Sequence, residues 1–283
     1  MSLLLSRGLR IEKPEAALTT LRRINYYRLS AYWHPFKLDN DTFQPDGSFE
    51  KAAEFYEFDR ELRLAVINML ERIEVGFRCA ISYHLSHAHG PYSHEDSSFF
   101  DRRFDHTKWV VELHRETDRS KEAFVGHFRE DYAEYPSLPL WVAAEVMSFG
   151  TLSLLYFGLN STDRASLAKP YNVHHVVFAS WLHSLAYVRN ICAHHSRLWN
   201  RDLSIAPKMP YQKDWRPPEI PNPKKVYAVL CILRGLSSNE QCGDAWARQI
   251  VELMKRYDTE PRWLHAMGIP RDWKTKAFWN GAI

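Results

Sequence analysis

The most regular hydrophobic pattern of the chain lies between Phe49 and about His87. Apolar side chains recur there at steps of three and four, the spacing that places them on one face of an α-helix. An unbroken helix of this length would measure roughly 55 Å, so we expect a bend or a break within it. Gly90-Pro91 predicts its end. The repeating positions are Phe55, Phe58, Leu62, Val66, Met69, Ile73, Phe77, Ile81 and His84.

Similar patterns predict helices along most of the remaining chain, and alternation with a period of two is almost absent. We therefore predict an all-α protein. Six prolines between Ala206 and Lys224 predict an extended connector. The predicted helical regions are 15–24 behind Pro14, 108–132, 140–159 as one helix or a pair divided at Phe149-Gly150, 162–169 with Ser161 as its cap, Asn172 to past His194, and segments within 224–257.

The chain divides by composition into three segments. These are an N-terminal helical and aromatic segment (1–48), a helical core (49–205), and the proline-rich connector with the C-terminal helices (206–283). Whether all three pack as one domain stays open at this stage.

Composition narrows the class of protein. The chain has 283 residues, 45% of them hydrophobic and 25% charged, which is typical of a globular protein. A net charge of +3 allows a nucleic-acid partner without requiring one. The cysteines are far apart and form no CxxC pair, which argues against a zinc ribbon or a disulfide framework. Because no apolar stretch is long enough to span a membrane, we expect a cytoplasmic protein.

The chemistry of the chain concentrates in the thirteen residues Arg189–Arg201, which follow an apolar helical run. His194 can transfer a proton near neutral pH, and Arg189 can hold the charge that develops on a phosphate. In RNA the 2′-OH is the nucleophile, so such a pair could cleave RNA without a metal or a cofactor.

Helical geometry separates the members of this motif. Arg189 and His194 point about 140° apart on a regular helix, whereas Asn190 and His194 share a face. We therefore expect Asn190 to contact and orient the His194 ring, with Arg189 at the side of the pocket. Two copies of the chain could bring such divergent residues into one shared cleft.

The spacing alone is weak evidence, because an Arg and a His five positions apart are common by chance. On that interpretation Arg197 and Arg201 form an ordinary solvated edge. His195 is then a surface or supporting residue rather than a catalyst.

Two sequence blocks strengthen the case. RNICAHHSRLWNR at 189–201 resembles the Arg-x(4–6)-His motif of HEPN ribonucleases, in the form found in Abi-like proteins, the AbiD/AbiF abortive-infection group. INYYRLSAYWHPF at 24–36 is similar to the opening block of that group. Two further blocks, 55–85 and 138–156, resemble the intervening ones in the expected order.

The resemblance implies an all-α HEPN-type bundle with an N-terminal helical extension and a C-terminal helical tail. It implies a homodimer with a composite site in which Arg189 and His194 are catalytic and Asn190 is the polar residue beside the Arg. The implied function is metal-independent endoribonuclease activity in phage defence, as a toxin that halts the infected cell. The alternatives are a protein that holds a structured noncoding RNA without cleaving it and, least favoured, an interaction protein in which the motif is structural.

Other residues are candidates for supporting roles. Glu74 and Arg78 are spaced for a salt bridge, and one of them could also brace Arg189 or His194. Glu145 lies in an apolar stretch, so we predict even chances that it is buried and paired near the motif. For the block 26–33, core packing is favoured over RNA contact, with Arg28 as the exception. The histidines at 84–114 are expected to be exposed, and no metal is predicted.

Overall fold

The computed structural model of the chain describes residues 1–238, 242–257 and 261–282. Within these ranges the fold is all-α, as predicted, and β-structure is limited to isolated bridges such as Arg10–Ser48. The helices are α1 Ser2–Ser6, α2 Pro14–Arg23, α3 Tyr26–Trp33, α4 Phe49–His89, α5 His106–Arg119, α6 Ala123–Asp131, α7 Leu140–Val146, α8 Phe149–Gly158, α9 Ser161–Ala168, α10 His175–Ala193, α11 Val226–Leu236, α12 Gly243–Arg256 and α13 Pro261–Ala266.

Helix α4 is the central element, and of the expected bend or break, the break does not occur. It continues for 41 residues from its N-cap Ser48 to Gly90, which ends it at a φ of 95°. No proline interrupts it, and its one glycine, Gly76, is exposed with open space around its Cα. The apolar face stays covered along its length because α3, α7, α10 and α12 pack against it in turn.

The short helices end at identifiable signals. The region 140–159 is a helix pair, α7 and α8, and Ser148 caps the second helix by accepting a hydrogen bond from the Thr151 amide. Asn160, not the predicted Ser161, caps α9, since its side chain accepts from the amides of residues 162 and 163. The region 108–132 is likewise divided, into α5 and α6.

Residues from all three predicted segments contribute to one continuous core. Helix α11 is buried around its whole circumference between Val226 and Leu233. In α12, the indole of Trp246 donates to the Ala65 carbonyl of α4 at 2.8 Å. None of the described helices is both long and apolar enough to cross a membrane.

Candidate active site

The motif lies at the C-terminal end of α10. Arg189 and Asn190 occupy its last turn, and the helix ends at Ala193 rather than past His194 as predicted. His195 adopts a left-handed conformation (φ 54°), and the Ser196 amide donates back to the Ile191 carbonyl at 2.9 Å. This geometry is a common helix terminator, and it turns the chain back toward α3 and α4.

A carboxylate of α4 holds Arg189 in place. The Arg189 Nε lies 3.3 Å from Glu74 Oε2, and Glu74 also forms an ion pair with Arg78 one turn along α4. Both contacts considered for this pair, the salt bridge and the bond to Arg189, are therefore present. One buried carboxylate serves two guanidinium groups, so the cluster keeps a net positive charge. The Arg189 side chain is 32% exposed, which leaves it accessible to a ligand.

The predicted contact between Asn190 and the His194 ring is not among the hydrogen bonds of the described residues. The Asn190 amide oxygen instead accepts from Arg189 Nη1 at 3.1 Å. The His194 side chain is exposed, and its ring has no hydrogen-bond partner in the described ranges. The motif thus combines a braced cation with an imidazole that a ligand can reach.

The prediction that Glu145 is buried near the motif is wrong. Glu145 is exposed on α7, whose buried face is formed by Leu140, Ala143 and Ala144. The helix instead supports the site through its backbone, because the Ala144 carbonyl accepts a hydrogen bond from Arg78.

Asp59 is a structural centre of the site that the sequence analysis missed. It is completely buried on α4, and it accepts hydrogen bonds from the amides of Leu198 and Trp199 at 3.1 and 2.6 Å. The Tyr32 hydroxyl also donates to it at 2.6 Å, and Arg63 forms an ion pair with it. Burial raises the pKa of Asp59, and these donors oppose the rise. An acidic residue in register with Phe55 and Leu62 was the available signal.

Two arginines join α3 to the chain that follows α10, and a third braces that chain. Arg28 Nη1 donates to the His195 carbonyl, and Arg197 Nη1 donates to the Ala31 carbonyl, each at 2.6 Å. Arg201 Nε donates to the Arg197 carbonyl at 2.7 Å. Helix α3 and the chain after α10 form the two walls of a cleft of about 520 Å³.

The aromatic block beside this cleft is divided between two environments. Tyr32 and Trp33 are buried, as the core interpretation predicts. Tyr26 and Tyr27 are exposed, and the core prediction is wrong for them. Arg28 is the exposed exception that was expected.

The histidines of 84–114 have several environments. His84 and His89 both contact the carboxylate of Asp163, at 2.8 and 2.9 Å. His94 is completely buried, contrary to the expectation of exposure, and burial lowers its pKa to about 4. No group of three or more potential metal ligands occurs in the part of the chain that the structure describes.

The chain matches a known protein family. The family model described as "Abi-like protein" matches residues 19–200, more than half of the chain. The match includes α3, α4 and the motif through Asn200, and it ends before α11–α13. No curated protein and no solved structure matches the chain.

Proposed function

The chain belongs to the Abi-like protein family, and on this premise we propose that it is a metal-independent endoribonuclease of the HEPN type. Family membership points to abortive infection. The proposed role is an RNA-cleaving toxin of the bacterial cytoplasm. The observation that carries the proposal is the pairing of a braced cation, Arg189, with the accessible and unpartnered imidazole of His194 at one helix end.

The proposed reaction uses the 2′-OH of the RNA. His194 takes the proton of this hydroxyl as its oxygen bonds to phosphorus, and the bond from phosphorus to the 5′-oxygen breaks. The products are a 2′,3′-cyclic phosphate and a 5′-OH, whose oxygen receives a proton from a general acid. Arg189 stabilises the added negative charge of the pentacovalent phosphate. Asn190 holds the Arg189 guanidinium from the side opposite Glu74.

A single imidazole cannot be general base and general acid at the same moment, so we propose that two copies supply one His194 each. An exposed apolar stripe on α4 supports such a homodimer. Val75 in this stripe directly follows Glu74 in sequence. Because Glu74 contacts Arg189, the stripe lies beside the motif. Its members are Val75, Cys79 and Tyr83, with the exposed Trp141 on the neighbouring α7.

The test is metal-free cleavage of RNA. Wild-type protein, His194→Ala and the control His183→Ala are incubated with total bacterial RNA in excess EDTA, and 2′,3′-cyclic phosphate ends are sequenced. His183 is an exposed histidine of the same helix, outside the motif. We expect cyclic-phosphate ends from wild type and His183→Ala, and their loss in His194→Ala.

Intact RNA with all three proteins would contradict the ribonuclease. If RNA then co-purified with the protein, the non-cleaving RNA-binding alternative would be supported. The cleft lined by Arg28, Arg197 and Arg201 is the observation that favours this second function.

A further inference from the structure

The fixed charges that line the cleft between α3 and the chain after α10 are those of three arginines. Arg28, Arg197 and Arg201 line it together with His195, and none of the described lining residues is acidic. The nearby carboxylate of Asp59 is buried beneath it and already paired with Arg63. The cleft therefore favours an anionic ligand.

The arginines are fixed in position but retain free donors. Arg28 and Arg197 each use one N–H to bind a backbone carbonyl of the opposite wall. A guanidinium group carries five N–H donors, so each has others available for phosphate oxygens. Because the anchoring bonds fix these side chains before a ligand binds, less conformational entropy is lost on binding.

An exposed aromatic ring stands at the edge of the same cleft. This ring belongs to Tyr27, which directly precedes Arg28 on α3 and is 84% exposed. Its ring meets Tyr26 edge to face, with centroids 6.0 Å apart, and its amide is fixed by the Asn25 side chain. An aromatic face beside a basic groove is the arrangement with which proteins hold single-stranded nucleic acid.

We propose that this cleft binds a nucleotide of single-stranded RNA next to the scissile phosphate, with its base stacked on Tyr27 and its phosphates held by Arg28 and Arg197. The inference rests on the proposed ribonuclease for its choice of RNA. His195 lines the cleft and adjoins His194, so the Cα atoms of the two are about 3.8 Å apart. A duplex offers no free base face for stacking, so single strands are selected.

The test measures binding without cleavage, in full-length His194→Ala protein. A short single-stranded RNA containing 2-aminopurine reports stacking by loss of its fluorescence. In the His194→Ala protein, the additional substitution Tyr27→Ala should weaken the affinity for this RNA about tenfold and abolish the fluorescence change. Tyr27→Phe should preserve both, because the stacking face remains. Tyr211→Ala, which removes a tyrosine that is 94% exposed elsewhere, is the matched control and should bind normally.

Charge provides an independent readout. Arg197→Gln should weaken binding and flatten its dependence on salt, since one phosphate contact is lost. The proposal is overturned if Tyr27→Ala binds within about twofold of its parent, or if duplex RNA of the same sequence binds as tightly as the single strand. Cyclic-phosphate ends with Tyr27-independent binding would reject the cleft and keep the ribonuclease. Tyr27-dependent binding without any cleavage would keep the cleft as an RNA-binding site and reject the ribonuclease.

Discussion

Single residues determine how the motif is presented. Arg189 depends on Glu74, a residue 115 positions away in sequence, and Glu74 also serves Arg78. The Glu74 carboxylate fixes the Arg189 guanidinium. Because Arg78 shares the same carboxylate, the group of three keeps a net positive charge. Positioning of this kind lowers the cost of arranging a catalytic group around its substrate.

Glu74→Gln tests this brace. The substitution leaves Arg78 with its charge buried and unpaired, so the free energy of unfolding should fall by about 3 kcal/mol in denaturant titrations. RNA cleavage, measured where the variant is still folded, should fall roughly tenfold because Arg189 is no longer held. Glu54→Gln, at an exposed position near the start of α4, should change neither quantity. A destabilised Glu74→Gln that cleaves RNA at the wild-type rate would show that the brace is structural only.

His94 makes stability depend on pH. Burial lowers its pKa to about 4, and neither ring nitrogen has a hydrogen-bond partner among the described residues. In the unfolded chain its pKa is about 6.5, so between these values only the unfolded state binds the proton. Stability is therefore present in full above about pH 6.5 and decreases by up to about 3 kcal/mol as pH falls to 4.

The measurement is the free energy of unfolding at several pH values between 7 and 4.5, for wild type and His94→Leu. The free energy of unfolding of the variant should depend less on pH, because the His94 imidazole is absent. Glu95, His106 and His114 around the site remain as in wild type, so the difference reports His94 alone. His183→Leu, at an exposed position, should follow the wild-type curve. Equal slopes for wild type and His94→Leu would refute the assignment.

At the scale of elements, the sequence predicted helices well where the periodic pattern was long. The pattern from Phe49 onward locates α4, because each repeating position from Phe55 to Ile81 is buried. It could not show that α4 is unbroken. That depends on α3, α7, α10 and α12 covering successive parts of one face, which are contacts between segments far apart in sequence.

The candidate site was harder to predict than the fold, for a similar reason. Glu145 has apolar sequence neighbours, but α7 is only seven residues long and buries one narrow face, so Glu145 points to solvent. Asp59 lies in a strongly apolar pattern, and it is the carboxylate that is buried. Its donors, Tyr32 and the amides after the motif, come from segments that only the folded chain brings together.

The exposed stripe of α4 carries a prediction about assembly. Val75→Arg would place a charge in the proposed dimer face, so light scattering should show a monomer where wild type is a dimer. Cleavage of RNA should be lost with the dimer, because the composite site needs two copies of His194. Leu18→Arg, at an exposed position of α2, should leave both properties unchanged. A monomeric wild type, or a monomeric Val75→Arg that still cleaves RNA, would contradict the shared site.

At the scale of the whole molecule, the core extends beyond the family match. The match ends at residue 200, yet the indole of Trp199 donates to the Trp263 carbonyl at 3.0 Å. Trp263 in turn packs against Phe55 and Phe58 of α4. The C-terminal helices therefore pack against α4 and against the chain that follows the motif, which they stabilise.

Removal of residues 206–283 should consequently abolish cooperative folding. The fragment 1–205 would expose the apolar face of α4 that α11 and α12 bury, at about 25 cal/mol per Å² of apolar surface returned to water. It would also leave the Ala65 carbonyl without the Trp246 indole. We expect circular dichroism of the fragment to show no sharp thermal transition and limited proteolysis to degrade it. Trp246→Phe in the full chain removes that hydrogen bond together with part of the buried ring, and it should cost about 2 kcal/mol. A fragment that melts cooperatively near the temperature of the full chain would instead make 206–283 an accessory segment. The motif would then depend on the first 205 residues alone.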